Sequence, residues 1–488
     1  MKRENSAESF SFSSETEPID DTLREKCGIF GIYGTGDTAA HTLFYGLFAL
    51  QHRGQEGSGM CVSDGEELHS HKGIGLVSQI YNEEHMQKLV GSIGIGHNRY
   101  STSRGGQALL EDVQPFVSKT MRSSLAHNGN LPSVEALRTF LKSKNIETAG
   151  ANDSRLMHLA IEAYLDEGFT LPDAVEKAFP LFTGAFSVLV MDKEAIVAVR
   201  DSFGMRPFSM GMIGDDTYIF ASETCAIDTV GGKALRDVNP GEMIVVKAGK
   251  MQSKQVANPT PKFDIFELVY FARPDSVLLG ETVYRVRSNF GRELAKETKI
   301  EADIVIPVPE TAIPSAVSFS RASGIPLEMA LTKNRYIHRT FIQPDQRTRE
   351  LGVKLKLNAL REIIDGKRVI VMDDSIVRGT TSREIVKLLF ASGATEVHFL
   401  VASPPVRFPD FYGIDTPKQE DLIASRMSVA DVATFLGVTS LHYLSVDGMV
   451  RATGVSRDLL SLSAFTGEYP IPLLEREKEV NHNVFIGE

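Results

Sequence analysis

The chain has 488 residues, 42% of them hydrophobic and 24% charged, with a formal net charge of −11. That length suits two or three domains. No apolar run reaches the roughly 18 residues of a transmembrane helix, and the acidic balance argues against a general nucleic-acid or anionic-membrane binder. Three widely spaced cysteines, Cys27, Cys61 and Cys225, make no disulfide framework and suit a reducing cytoplasm.

Residues 1–26 carry five serines, seven acids and four bases, with no apolar core. They read as a disordered tail rather than a secretory signal. Cys27-Gly28-Ile29-Phe30-Gly31-Ile32 then begins abruptly as a strand. Gln51-His52-Arg53-Gly54-Gln55-Glu56 lies between an apolar helix and the next strand, where Cys61 reads as core. His97-Asn98-Arg99-Tyr100 follows a strand at 93–96, and Ala126-His127-Asn128-Gly129-Asn130 follows one at 123–125. Asn152-Asp153-Ser154 opens an apolar helical pattern. Further strands are expected at 185–191, 195–200, 217–222 and 242–246, between Gly, Asp and Asn turns. The polar stretch 247–262 reads as a linker or its edge.

Taken singly these pieces are weak: a lone cysteine is usually core, and Asn-Gly is usually a turn. In this order they resemble the class II glutamine amidotransferases, a branch of the N-terminal-nucleophile (Ntn) hydrolases. The resemblance implies that Cys27 is the nucleophile and that Asn128 with the Gly129 N–H forms the oxyanion hole. It implies that Arg99 holds the glutamine α-carboxylate, a task suited to a guanidinium, and that Asp153 holds the α-ammonium. His97 and His127 would be structural or orienting rather than catalytic. A nucleophile whose base is its own α-amine, which titrates near pH 7.7–8.0 in model peptides, requires removal of residues 1–26. These residues are therefore expected to be a propeptide cut at the Lys26–Cys27 bond.

In the second half, Ala302-Asp303-Ile304-Val305-Ile306-Pro307-Val308-Pro309 reads as a buried strand, followed by Glu310-Thr311 and a helix from about residue 312. Thr311 alone could be that helix's N-cap. Segment 333–356 holds seven bases (Lys333, Arg335, Arg339, Arg347, Arg349, Lys354, Lys356) against two acids, a local +5 in an acidic chain. Without a nucleic-acid fold motif, a pyrophosphate is its better partner. Next comes Val369-Ile370-Val371-Met372-Asp373-Asp374-Ser375-Ile376-Val377-Arg378-Gly379-Thr380-Thr381. An apolar strand here runs into two carboxylates, then a hydroxyl-rich loop and a helix N-terminus. Such a loop suits a phosphate. The acids suit sugar hydroxyls or a magnesium ion.

This last segment resembles the 5-phosphoribosyl-1-pyrophosphate (PRPP) motif of type I phosphoribosyltransferases. There the acids hold the ribose hydroxyls and the loop, here Ser375, Arg378, Gly379, Thr380 and Thr381, holds the 5′-phosphate. The resemblance carries Thr311, Asp373 and Asp374 over as the magnesium site, one ion per subunit. It makes Lys333, Arg335 and Arg339 part of a basic lid over pyrophosphate. Both motif sets in one chain resemble the glutamine PRPP amidotransferase family. The fold class implied is α/β and α+β in two domains: an αββα Ntn-hydrolase sandwich and a parallel-sheet phosphoribosyltransferase fold. The expected organisation is a propeptide at 1–26, a glutaminase domain at 27–255, a phosphoribosyltransferase domain at 256–474 and a polar, loose tail at 475–488.

The family further implies glutamine and PRPP as substrates, purine nucleotides as feedback inhibitors and a homotetramer, with no nucleic acid and no membrane. Some members carry a [4Fe–4S] cluster on four cysteines. Cys225 reads as standing at the first ligand position, with Asp410, Ser461 and Ala464 at the others, so no cluster is expected. Two other readings are an amidotransferase with a different acceptor, which would lack the 369–381 motif, and a PRPP-sensing regulator, which would have no use for Cys27 and Asn128.

Overall fold

The computed structural model describes residues 27–34, 36–100, 110–334, 357–414, 416, 418–482 and 484. The expected propeptide and the lid bases from Arg335 to Lys356, Arg339 among them, lie outside these residues.

Two antiparallel sheets fill the first half. One has seven strands, ordered Lys233–Asp237, Ser209–Ile213, Thr217–Ala221, Gly28–Tyr33, Ile93–Arg99, Gly57–Ser63 and Leu68–Ile74. The other has six, from Lys250–Gln255 through Glu242–Lys247, Ala195–Arg200, Thr183–Met191 and Ser124–Ser133 to Phe116–Val117. Their facing sides share one core: Ile29, Cys61, Ile95 and Phe220 from the first meet Ala126, Leu189, Ile196 and Ile244 from the second. The outer face of the first sheet packs under the Ala39–Ala49 helix through Leu43 and Leu47. The outer face of the second packs under Asp153–Asp166 and Leu171–Ala178. Leu156, Met157, Ala160 and Ile161 give the first of these helices the i, i+4 stripe that such a layer needs. The result is the expected αββα sandwich.

The second half is built on four parallel strands, Ile304–Pro307, Arg368–Asp373, Glu396–Val401 and Ser440–Tyr443, in that order. Successive side chains point to opposite faces, and both faces are covered. Ile370 and Met372 enter one core under the Val283–Glu297 and Ile313–Ser323 helices, while Val369 and Val371 enter another under Thr380–Ala391 and Val429–Leu436. Leu327 bridges Val305 in parallel on the far side of the first strand. The chain therefore steps outward after Ile304–Pro307 and back inward to Arg368–Asp373. Ligands of open α/β sheets bind where strand order reverses in this way, at the carboxyl ends of the strands.

Several expectations shift. Strands Ile93–Arg99 and Ser124–Ser133 run on through His97-Asn98-Arg99 and His127-Asn128-Gly129 instead of stopping before them. Some of the polar side chains find buried partners there: Asn98 Nδ2 donates to the Leu47 carbonyl at 2.6 Å. The supposed linker contains an exposed hairpin strand, Lys250–Gln255, paired with Glu242–Lys247. Part of the tail is packed: Val484 is buried, and the Gln419 side chain both donates to the Asn481 carbonyl (2.9 Å) and accepts from the Asn481 N–H (2.8 Å).

Buried histidines set the acid limit. His158 lies inside the sandwich with Nε2 2.9 Å from Ser123 Oγ. Burial pushes it down to about 3, and Arg155 and Arg122 push the same way. Unfolded histidine titrates near 6.5, so the folded state binds fewer protons below that pH and stability falls as pH drops from about 6.5 toward 3. Between pH 7 and pH 5 one such histidine removes on the order of 2 kcal/mol. His158→Gln is expected to flatten this acid limb of a plot of Tm against pH; an unchanged slope refutes the assignment.

Candidate active sites

At the first site, the ladder between Gly28–Tyr33 and Ile93–Arg99 pairs Gly28 with Asn98 and Ile29 with His97. This places Cys27 at the mouth of the sandwich. It is half-buried, in the left-handed region at φ 67°, with its carbonyl accepting from Arg53 Nε at 3.3 Å. The other two thiols are withdrawn: burial pushes Cys61 up to about 12 and also raises Cys225. Cys27 is thus the thiol with both access and a polar surrounding.

Ser222 joins the nucleophile's strand to Asn128. Its Oγ accepts from the Ile29 N–H at 3.0 Å and from Asn128 Nδ2 at 3.2 Å. Gly129 follows at φ 151°, and a Cβ there would stand 2.0 Å from the Ala185 carbonyl oxygen. Only glycine leaves that N–H where it is. An asparagine amide and a backbone N–H beside a thiol can stabilise the oxyanion of an acyl transfer.

Asp153 opens the Asp153–Asp166 helix, with Asn152 as the N-cap. Its carboxylate accepts from the Leu131 N–H at 3.1 Å and from the Ser154 N–H at 2.8 Å, 4.0 Å from His127 Nδ1. Arg99 is buried and reaches Asp112 at 3.2 Å, and Asp112 also accepts from Asn152 at 3.4 Å. The guanidinium and the Asp153 carboxylate are therefore tied to the same helix start. His127 is fixed by Ser154 Oγ (2.8 Å) and by Gln114, which accepts from its N–H (2.7 Å). Burial pushes His97 down to about 3, with Arg99 and His127 adding to the shift, so it is neutral. Sequence reasoning missed Ser222, Asp112, Gln114 and Ser154, because single small polar residues leave no pattern.

At the second site, Asp373 ends its strand and Asp374 begins the loop. Asp374 accepts from Ser375 Oγ at 2.6 Å, and Asp373 accepts from the Asp374 N–H at 2.9 Å. Burial pushes Asp374 up to about 6 against the opposing pull of Ser375, Arg287 and Thr311. Thr311 bonds Asp374 through its side chain. The helix after it begins at Ile313 with Ala312 as N-cap and no side-chain cap, so Thr311 is not the cap that its position allowed. Thr311 and Asp374 thus meet across two strand ends with Asp373 adjacent in the chain, oxygen donors of the hard kind that a magnesium ion takes.

Gly379, at φ 81°, turns the loop into the Thr380–Ala391 helix, again with no side-chain cap. The first N–H groups of that helix, with the Ser375, Thr380 and Thr381 hydroxyls beside them, suit a phosphate. Arg378 leans on Asp421 at 3.8 Å. Lys333 ends the short strand Leu331–Lys333 and is exposed at the edge of the segment that carries the other lid bases.

Of the four positions expected at an iron–sulfur cluster, Cys225 packs against Glu223 and Ser276. Ser461 instead pairs in parallel register with Asp264, and Asp410 acts on that same Asp264 carboxylate. Burial pushes Asp264 up to about 7; Arg206 opposes and Asp410 adds to the rise. The residue that stands with Asp410 and Ser461 is thus an acid, not a thiol.

The glutamine amidotransferase domain family matches residues 97–229. The amidophosphoribosyltransferase of Synechococcus elongatus is 44% identical over 464 residues, covering 94% of both chains. That of Bacillus subtilis is 42% identical over 461 residues, covering 93% of this chain and 96% of its own. The solved glutamine PRPP amidotransferase of Bacillus subtilis, complexed with ADP and GMP, superposes with a TM-score of 0.85 at 42% identity, over 92% of this chain and 98% of that one. A solved allosteric regulatory enzyme of purine biosynthesis superposes with a TM-score of 0.86 at 43% identity, over 92% of this chain and 97% of its own. Both halves are spanned by these likenesses, and the chain belongs to the amidophosphoribosyltransferase family.

Proposed function

We propose that the chain converts PRPP, glutamine and water to 5-phosphoribosylamine, glutamate and pyrophosphate, the first committed step of de novo purine (IMP) synthesis. The observation that carries this reading is the presence of both constellations in one chain: Cys27 with Asn128 and Gly129, and Asp373 and Asp374 with the Gly379 loop.

In this reading the Cys27 thiol attacks the glutamine amide carbon and its proton passes to the α-amine. Asn128 Nδ2 and the Gly129 N–H take the developing oxyanion. Collapse gives a γ-glutamyl thioester, with the amine returning the proton to departing ammonia; water then releases glutamate and regenerates the thiol. Arg99 and Asp153 hold the two ends of the amino acid. Ammonia passes to the second site and attacks C1 of the ribose as pyrophosphate leaves, and the new amine sheds a proton. Ser375, Arg378, Gly379, Thr380 and Thr381 hold the 5′-phosphate, while Lys333, Arg335 and Arg339 neutralise the other phosphates. Thr311, Asp373 and Asp374 would hold a magnesium ion, whose charge stabilises the leaving group.

An iron–sulfur cluster has no part in this reading, because four thiolates are needed and the chain has three cysteines in all. A cytoplasmic homotetramer under purine-nucleotide control belongs to the same proposal. The solved relative complexed with ADP and GMP supports the nucleotide control. Among the described residues no helix is long and apolar enough to cross a membrane.

The test is pyrophosphate release by Cys27→Ala beside wild type. Loss of the nucleophile is expected to lower glutamine-dependent turnover by at least about 10³-fold and to leave ammonia-dependent turnover within about two-fold. Equal loss of both, in a folded variant, overturns the two-site reading.

A further inference from the structure

The first residue of an Ntn hydrolase has no preceding peptide to hold it, so its own carbonyl must do so. Here the Cys27 carbonyl is held by Arg53, whose side chain is 2% exposed. Arg53 is itself gripped on both sides. Nη1 donates to Glu223, a residue of the sandwich, and Nη2 donates to both Glu267 oxygens at 2.7 and 3.0 Å. Burial alone would raise Glu223, but His52 and Arg53 outweigh it and hold the carboxylate below the usual range.

Glu267 does not belong to the sandwich. It opens a single π-type turn, Glu267–Phe271, whose Leu268, Val269 and Phe271 are buried in the core under the parallel sheet, with Val305, Ile370 and Met372. The turn is clamped from the Val283–Glu297 helix by Arg287, which donates Nε to the Leu268 carbonyl and Nη2 to the Ala272 carbonyl, both at 2.9 Å. The same Arg287 charge acts on Asp374. Glu267 is 0% exposed and also accepts from Arg206 Nη1 at 2.9 Å. The second half of the chain thus delivers a fixed carboxylate to the arginine that holds the first residue of the sandwich.

We propose that Glu267 is a positioning residue for glutamine hydrolysis: through Arg53 it fixes the carbonyl, and hence the thiol and α-amine, of Cys27. The proposal rests on Cys27 being the glutaminase nucleophile. The physical reason is geometric. Glu223 holds one terminal nitrogen of Arg53 and Glu267 holds the other, so the two carboxylates together pin both ends of the guanidinium and with it the aim of Nε at Cys27. A displacement of about 1 Å in a nucleophile can cost as much as 10²-fold in rate.

The test uses full-length, processed Glu267→Gln, which keeps the shape and removes the charge, with wild type and Cys27→Ala beside it. Glutamine-dependent kcat is expected to fall about 10-fold or more, with KM for glutamine changing less than about three-fold. Ammonia-dependent pyrophosphate release should stay within about two-fold. Alkylation of Cys27 by iodoacetamide should slow in parallel with kcat. If Cys27→Ala abolishes glutamine use while Glu267→Gln matches wild type, the positioning role is wrong and the nucleophile assignment stands. Retention of glutamine use by Cys27→Ala overturns both. Equal loss of the glutamine and ammonia reactions in folded Glu267→Gln makes Glu267 merely structural. Breaking a buried ion pair is strongly destabilising. If no melting transition is seen, Glu267→Asp decides: a glutamine-specific loss of about three- to ten-fold is expected, and wild-type rates overturn the proposal.

Discussion

Asp374→Asn is expected to abolish pyrophosphate release with either nitrogen source, by about 10²-fold or more, while glutamine hydrolysis to glutamate survives. The reason is where the charge sits. Asp374 is 9% exposed, bonded by Ser375 Oγ at 2.6 Å and by Thr311, and stands after Asp373 at the carboxyl end of the Arg368–Asp373 strand. An asparagine keeps the volume and one acceptor but loses the charge that a divalent ion or a pair of ribose hydroxyls would use. This variant is the mirror of Cys27→Ala, which spares the ammonia reaction. Glutaminase activity and pyrophosphate release, measured on the same preparation, decide it; wild-type pyrophosphate release with ammonia would remove Asp374 from the site.

The second site was legible in the sequence because its chemistry is local. One strand end, one loop and one helix start lie within residues 369–381, with Thr311 and the basic residues after Leu331–Thr332 coming from elsewhere. The strand itself was readable because both faces are buried, so Val369, Ile370, Val371 and Met372 form an unbroken apolar run. The first site is assembled from distant strands. Its individual residues could be named only because their order resembled a family, and the boundaries suffered accordingly. His97, Asn98, Arg99, His127 and Asn128 look like loop residues but sit within buried strands.

The connections between residues were not legible. Ser222 meets Asn128 across 94 positions and Glu267 meets Arg53 across 214. No periodicity encodes such pairs. The one signal was a carboxylate standing inside the apolar run Ile265-Phe266-Glu267-Leu268-Val269, since an acid is almost never fully buried unless paired. Cys225 shows the opposite error. Its placement beside Asp410 rested on the family resemblance, whereas the register of the Phe263–Asp264 pair with Leu460–Ser461 puts Asp264 there.

Protein that retains residues 1–26 is expected to use ammonia normally and to lose glutamine-dependent turnover by about 10³-fold or more. With Lys26 attached, the nitrogen of Cys27 is an amide, which cannot accept the thiol proton, whereas a free α-amine titrating near pH 7.7–8.0 can. His97 is held neutral by burial, and His127 Nδ1 is engaged by Ser154 Oγ at 2.8 Å while its backbone N–H donates to Gln114. Lys26→Pro, chosen to block cleavage at the Lys26–Cys27 bond, provides the retained form, and a chain engineered to begin at Cys27 provides the released one. Intact mass and N-terminal sequencing identify each, and glutamine- against ammonia-dependent pyrophosphate release separates the two reactions. Because the Cys27 carbonyl is gripped by Arg53 independently of what precedes it, the retained form should still fold with Cys27 in place, so its defect should be chemical and not structural. Active glutaminase whose mass still includes residues 1–26 would show that the base lies elsewhere.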